Sequence, residues 1–148
     1  MTLLVDTSVW SLALRRDAPQ QIHEVRALRD ALAGAELVVT TGLILQELLQ
    51  GVLPERSRAT IIERFSALGF VQPTRADHIA AAELQNSCRR VGVQLCTVDA
   101  LMAQLCISNE LTLLSTDRDF AHAARHCPLR LWLPAGDVAT DAAPGAAS

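Results

Sequence analysis

The chain has 148 residues, half of them hydrophobic and only 3% aromatic, with no Tyr and a formal net charge of −3. That length fits one domain whose core is built from Leu, Val, Ile and Ala. No apolar run approaches the roughly 18–20 residues of a membrane span, and no basic segment precedes the first apolar run, which argues against a secretory signal.

In chain order, residues 2–5 read as a short buried strand and residues 7–16 as a helix with Val9, Leu12 and Ala13 on one face. After Pro19, residues 20–33 read as a second helix with Ile22, Val25, Leu28 and Leu32 inward, stopped by Gly34. The β-branched run Leu37-Val38-Val39-Thr40 predicts the next strand, and residues 42–52 a third helix carrying Glu47. Pro54 opens a helix to about Leu68, and Phe70-Val71 forms a minor strand. Residues 76–91 form a long helix ended by Gly92, and residues 97–108 another. Residues 112–115 predict a strand, 119–125 a helix and 129–133 a last strand. Residues 135–148 are mostly small and read as a disordered tail after a single domain over residues 1–134.

Strands alternating with helices predict an α/β fold with a mostly parallel central sheet covered by helices on both faces. Ligands of such sheets bind beyond the carboxyl ends of the strands. Asp6 and Asp117 follow apolar strands, Asp99 opens a helix, and Glu47 lies within an apolar helical segment. Each Asp has a plainer reading as a helix cap or a solvated acid. Glu47 has less excuse, because Leu43, Ile44 and Gly51 stand one turn away and an unpaired carboxylate on an apolar face is costly. An oxygen-rich set with no evident cationic partner suits a hard divalent cation.

The four Cys, at 88, 96, 106 and 127, form no C-x-x-C pair, so reduced cytoplasmic thiols are expected rather than zinc ligands. All thirteen Lys-or-Arg positions are Arg, which excludes any mechanism that needs a lysine. A slightly negative total does not announce a nucleic-acid binder, although acids reserved for cations would account for much of it.

The residues carry a resemblance. Leu4-Val5-Asp6-Thr7-Ser8-Val9-Trp10 is similar to the first acidic motif of PIN-domain ribonucleases. Leu45-Gln46-Glu47-Leu48, with Gly51 after it, resembles the second. Asp99-Ala100-Leu101-Met102-Ala103 resembles the third, and Leu114-Ser115-Thr116-Asp117-Arg118-Asp119-Phe120 the fourth. The likeness runs in order over residues 2–134 and is greatest to the VapC-type toxins of bacterial toxin–antitoxin pairs. It implies a ribonuclease that holds Mg²⁺ or Mn²⁺ through Asp6, Glu47, Asp99 and Asp117, with Asp119 an alternative fourth ligand. It further implies that Ser8 and Thr116 orient the acids or a metal-bound water; Arg118, by its place between Asp117 and Asp119, is expected to pair with an acid or contact the RNA. An RNA substrate and an antitoxin partner follow from the same resemblance; surplus apolar helix faces lead to the expectation of a homodimer, and the reduced thiols to a cytoplasmic location.

Other readings are weaker. His122 and His126, one turn apart, could ligate zinc but lack a third ligand beyond Cys127, so a solvated helix face is preferred. Arg15-Arg16 and Arg89-Arg90 suit phosphate contacts or surface ion pairs alike. Trp10 and Trp132 are expected in the core or an interface. Dehalogenase-type phosphatases and receiver domains need a Lys, and a dinucleotide fold needs a Gly-rich turn that Asp6-Thr7-Ser8-Val9 cannot supply. The remaining rivals are a stand-alone PIN nuclease of RNA processing and a catalytically inactive PIN-like binding module.

Overall fold

The computed structural model describes residues 1–15, 22–51 and 53–136. Strand β1, Thr2–Val5, is apolar on both faces and occupies the centre of a five-stranded sheet. It pairs with β2, Leu37–Thr40, on one side and β4, Thr112–Leu114, on the other. The edges are β3, Gly69–Phe70, and β5, Arg130–Leu131. The order is β3-β2-β1-β4-β5 and every pairing is parallel. Chain direction across the sheet reverses between β1 and β4, so a crevice opens at their carboxyl ends, where doubly wound sheets bind ligands.

The helices are α1 Thr7–Ala13, α2 His23–Asp30, α3 Gly42–Leu49, α4 Glu55–Ser66, α5 Arg75–Arg90, α6 Thr97–Ser108 and α7 Arg118–Ala123. They flank the sheet on both faces, as the strand–helix alternation predicts. Helix α6 matches its predicted bounds. It buries Ala100 to Ala103, Leu105 and Cys106, the pattern of a helix enclosed on most sides, and packs extensively on α5. Helix α5 starts at a reciprocal capping box: Asp77 N–H donates to Thr74 Oγ1 at 3.1 Å and Thr74 N–H to Asp77 Oδ2 at 2.8 Å. Pro54 stands at the N-cap of α4, as expected.

Several expectations need correction. The second helix does not continue regularly to Ala33. It closes at a kink within Ala31–Ala35, where Gly34 stops it as expected, with φ 111°, a left-handed conformation that suits glycine. Val25, Leu28 and Ala31 make the buried stripe at a spacing of three, so Leu32, expected inward, falls outside it and is 47% exposed. The third helix ends at Leu49, the last predicted helix at Ala123, and the last strand spans two residues rather than five. The tail beyond residue 136, Arg16 and the predicted start of the second helix lie outside the described residues. Trp10 is in the core as expected, 2% exposed, with its ring centroid 4.8 Å from that of Phe65.

Candidate active site

Asp6 is the first residue beyond β1. Its N–H donates to Leu114 O at 2.9 Å, which carries the β1–β4 ladder one step past the strand and fixes the backbone. Its Oδ2 accepts two hydroxyl protons, from Ser8 and from Ser115, each at 2.8 Å. The two serines accept in turn from the chain leaving β4: Thr116 N–H donates to Ser8 Oγ at 3.2 Å, and Asp117 N–H to Ser115 Oγ at 3.0 Å. A hydroxyl has one proton, so both serine protons are committed to Asp6, and the 3.4 Å approach of the two oxygens is not a further bond. Among the described residues, no protein donor reaches Asp6 Oδ1.

Ser8 thus donates to Asp6 and holds its carboxylate in place. Thr116 does not do so with its side chain; it contributes its backbone N–H, and Ser115 takes the orienting role. In the sequence a serine follows each of the two central strands within three residues, but only the pairing of β1 with β4 tells Ser115 from Thr116.

Glu47 also differs from expectation. Ile44 and Leu48 turn into the core, whereas Glu47, beside them on the flank of α3, is exposed. Its carboxyl is nevertheless pushed above the usual range, first by loss of water on the side facing the site, then by the charges of Asp6 and Asp99. The Thr7 hydroxyl, buried without a partner at hydrogen-bond distance, lies near enough to pull the other way. Asp99, in the first turn of α6, is half-buried and raised above its usual value by burial, against a lowering contact from Cys96, with Asp6, Asp117 and Asp119 adding to the rise. Asp6, Glu47 and Asp99 thus feel one another at the carboxyl end of the sheet.

Asp117 is the N-cap of α7, its Oδ1 accepting from Asp119 N–H at 2.9 Å, and Asp119 lies in the helix's first turn. Arg118 between them is exposed, and among the described residues it joins no ion pair. The ion pairs found, Met1 amine with Glu36 and Arg130 with Glu110, involve none of the candidate acids. The cysteines are free thiols, and burial pushes Cys106 up to about 12, far from the reach of a nucleophile at neutral pH.

Residues 3–126 match the family described as PIN domain. The chain belongs to the PIN-domain family. Solved structures share its fold. A chain of VapBC2 from Rickettsia felis bound to a promoter DNA fragment has 18% identity, covers 89% of this chain and 98% of its own, and gives a TM-score of 0.69. FitAcB from Neisseria gonorrhoeae has 20% identity over 89% of this chain and 97% of its own, with a TM-score of 0.63. VapC20 of Mycobacterium tuberculosis, described as a sarcin-ricin loop cleaving toxin, has 20% identity over 82% and 94%, with a TM-score of 0.62. No curated protein matches the chain.

Members of the PIN family generally use divalent metal ions. The donors here fit such an ion in kind, being carboxylate oxygens that raise one another's pKa and have no cation to pair with among the described residues. They do not form a ready-made ligand set: among the described residues, no three His, Cys, Asp or Glu side chains stand together as ligands for one ion. The expected convergence of four acids is seen here as mutual charge, not as side chains already drawn in.

The PIN domain's unneutralised acids predict a pH signature. Glu47 and Asp99 bind protons more tightly folded than unfolded, so the stability they contribute is complete below the ordinary carboxylate range and is lost as pH rises through their raised folded values. The melting temperature of the metal-free protein should rise as pH falls from neutral toward that range. Asp77 acts oppositely, because the Thr74 N–H holds its carboxyl low and its contribution fades on acidification. A Glu47→Gln/Asp99→Asn variant, measured by thermal denaturation across pH, should lose the rise and keep the Asp77 decline; an unaltered profile would remove the coupling.

Proposed function

We propose that this PIN domain is a Mg²⁺- or Mn²⁺-dependent endoribonuclease, the toxin of a toxin–antitoxin pair held in check by a protein partner. The observation that carries the reading is the group of unpaired acids at the sheet's switch point, arranged about an Asp6 held by two serines. The fold likeness to VapBC2 and FitAcB supports the antitoxin, and the likeness to VapC20 supports RNA as substrate.

Asp6, Glu47 and Asp99, with Asp117 or Asp119, would hold the metal, which when bound supplies Lewis acidity toward a phosphate and lowers the pKa of water. Asp6 presents Oδ1, because Oδ2 is taken up by Ser8 and Ser115. Glu47 stands at the open side of the site, and Asp99 in its half-buried floor. Asp117, already capping α7 through Oδ1, has one oxygen less to offer, which leaves Asp119 a serious fourth donor.

The partner fits as an extended or helical segment laying an apolar face beside α3 and α4, with an Arg or Lys reaching Glu47 or Asp99 in place of the ion. A homodimer burying the remaining apolar helix surface, such as Ile62 at 45% exposed, fits the same scheme.

The test is cleavage of total cellular RNA by purified, antitoxin-free protein. Cleavage should require Mg²⁺ or Mn²⁺ and stop with EDTA; undiminished cleavage in EDTA overturns the mechanism. The spread of the acids favours one rival, a PIN-like module that only binds, and RNA binding without cleavage at any metal concentration would establish that rival.

A further inference from the structure

A second polar cavity lies beside the acids. The loop 92–94, following α5, faces α7 and the turn after it, and between them opens a space of about 450 Å³. His122, Arg125 and His126 line it, all exposed, together with Asp119. The loop is held firmly. Gly92, at φ 80°, ends α5, Val93 N–H donates to Cys88 O at 2.9 Å, and Gln85 Nε2 donates to Leu95 O at 2.8 Å. His126 is placed by its N–H bond to Ala123 O at 2.9 Å.

The basic groups have no role in the fold. Among the described residues, Arg125 has no carboxylate within 4.0 Å. The two imidazoles form no metal site with any third His, Cys, Asp or Glu among the described residues, which sets the zinc reading aside. What remains is a concave surface with one guanidinium and two ring N–H donors, the equipment for a phosphate. Asp119 connects it to the candidate active site, for Asp119 lines this cavity and its charge reaches Asp99.

We propose that this cavity is a backbone-phosphate subsite for single-stranded RNA. It holds the strand at a phosphate neighbouring the one presented to Asp6, Glu47 and Asp99. Arg125 is the principal contact and the two histidines flank it. An acidic centre repels RNA, and the Arg125 guanidinium with the two imidazole N–H donors gives the strand a contact on this side of it, across the same cavity from the Asp119 carboxylate. The assignment rests on the ribonuclease reading and adds to it the residues that grip the substrate.

The test is fluorescence anisotropy of a labelled single-stranded RNA with the full chain in EDTA, across a salt series, run beside cleavage of total RNA with Mg²⁺. His122→Ala/Arg125→Ala/His126→Ala should bind roughly tenfold more weakly, and Arg125→Ala alone should lower the salt slope by about one. Arg125→Lys should recover most of the affinity, and Arg29→Ala on α2 should bind as wild type. All three positions are exposed, so folding should survive; if the triple variant unfolds, Arg125→Ala and Arg125→Lys carry the comparison. Wild-type affinity and slope in the variants, alongside intact wild-type cleavage, overturn the subsite alone. A wild-type chain that neither binds nor cleaves RNA overturns the subsite and the ribonuclease reading together.

Discussion

Asp6→Asn should reduce RNA cleavage by roughly a hundredfold or more, since even residues behind a metal ligand commonly cost 10–100-fold. The change keeps the shape of the side chain and its acceptor for Ser8 and Ser115, so the melting temperature should hold or rise as repulsion with Glu47 and Asp99 is relieved. Glu47→Gln and Asp99→Asn should behave alike. Ser115→Ala should be milder, because it removes one of two donors to Oδ2, whereas Thr116→Ala should be close to neutral, since only its backbone is engaged. Asp117→Asn beside Asp119→Asn settles the fourth ligand. The measurement is initial cleavage rate at saturating metal, with thermal denaturation of each variant. An Asp6→Asn enzyme near wild-type rate would remove the sheet's switch point from the chemistry.

The largest stability effect is expected at Trp10. It is 2% exposed and packed against Phe65, and truncating a core aromatic of this kind to Ala typically costs about 3–5 kcal/mol. That is a large share of the roughly 5–15 kcal/mol available to a domain. Trp10→Phe should cost far less, because the indole N–H is buried with no hydrogen-bond partner and nothing polar is orphaned by its loss. Urea denaturation of both variants checks this; equal losses would show that the core around Phe65 cannot close on the smaller ring.

The fold was legible where one local rule governs. Residues 97–108 alternate too little for a strand, run too long for one, and end at polar Ser108-Asn109, which defines α6. Gly34, Gly92 and Pro54 mark helix ends for backbone reasons that need no tertiary context. Leu32 was placed on the wrong side because positions three and four after Leu28 both suit an inward face, and packing chose Ala31. At the site, the acids could be found from their positions at strand and helix ends. Ser115 could not be told from Thr116 until β1 and β4 were paired, since its partners Asp6 and Ser8 lie more than 100 positions away in sequence. Glu47 was singled out for a place in the core it does not have; its perturbation comes first from partial loss of water and then from neighbouring acids, which a helical wheel does not show. The basic cavity beside α7 is formed by two segments that meet only in the fold.

The serine exchange around Asp6 also bears on motion. Residues 115–117 leave the sheet, and in most doubly wound proteins such a segment would be free to open and close over a ligand. Here it is stitched to the first residues of α1 through two hydroxyls that give their protons to one carboxylate oxygen and receive backbone protons in return. Detaching the segment would strand a carboxylate, two hydroxyls and two amides at once. This stretch therefore opens with the central strands or not at all, in the manner of a cooperative unfolding unit. The acids sit on a seam rather than under a flap, so on the proposed reading any adjustment around an ion falls to the side chains of Glu47, Asp99 and either Asp117 or Asp119, with Asp6 stationary.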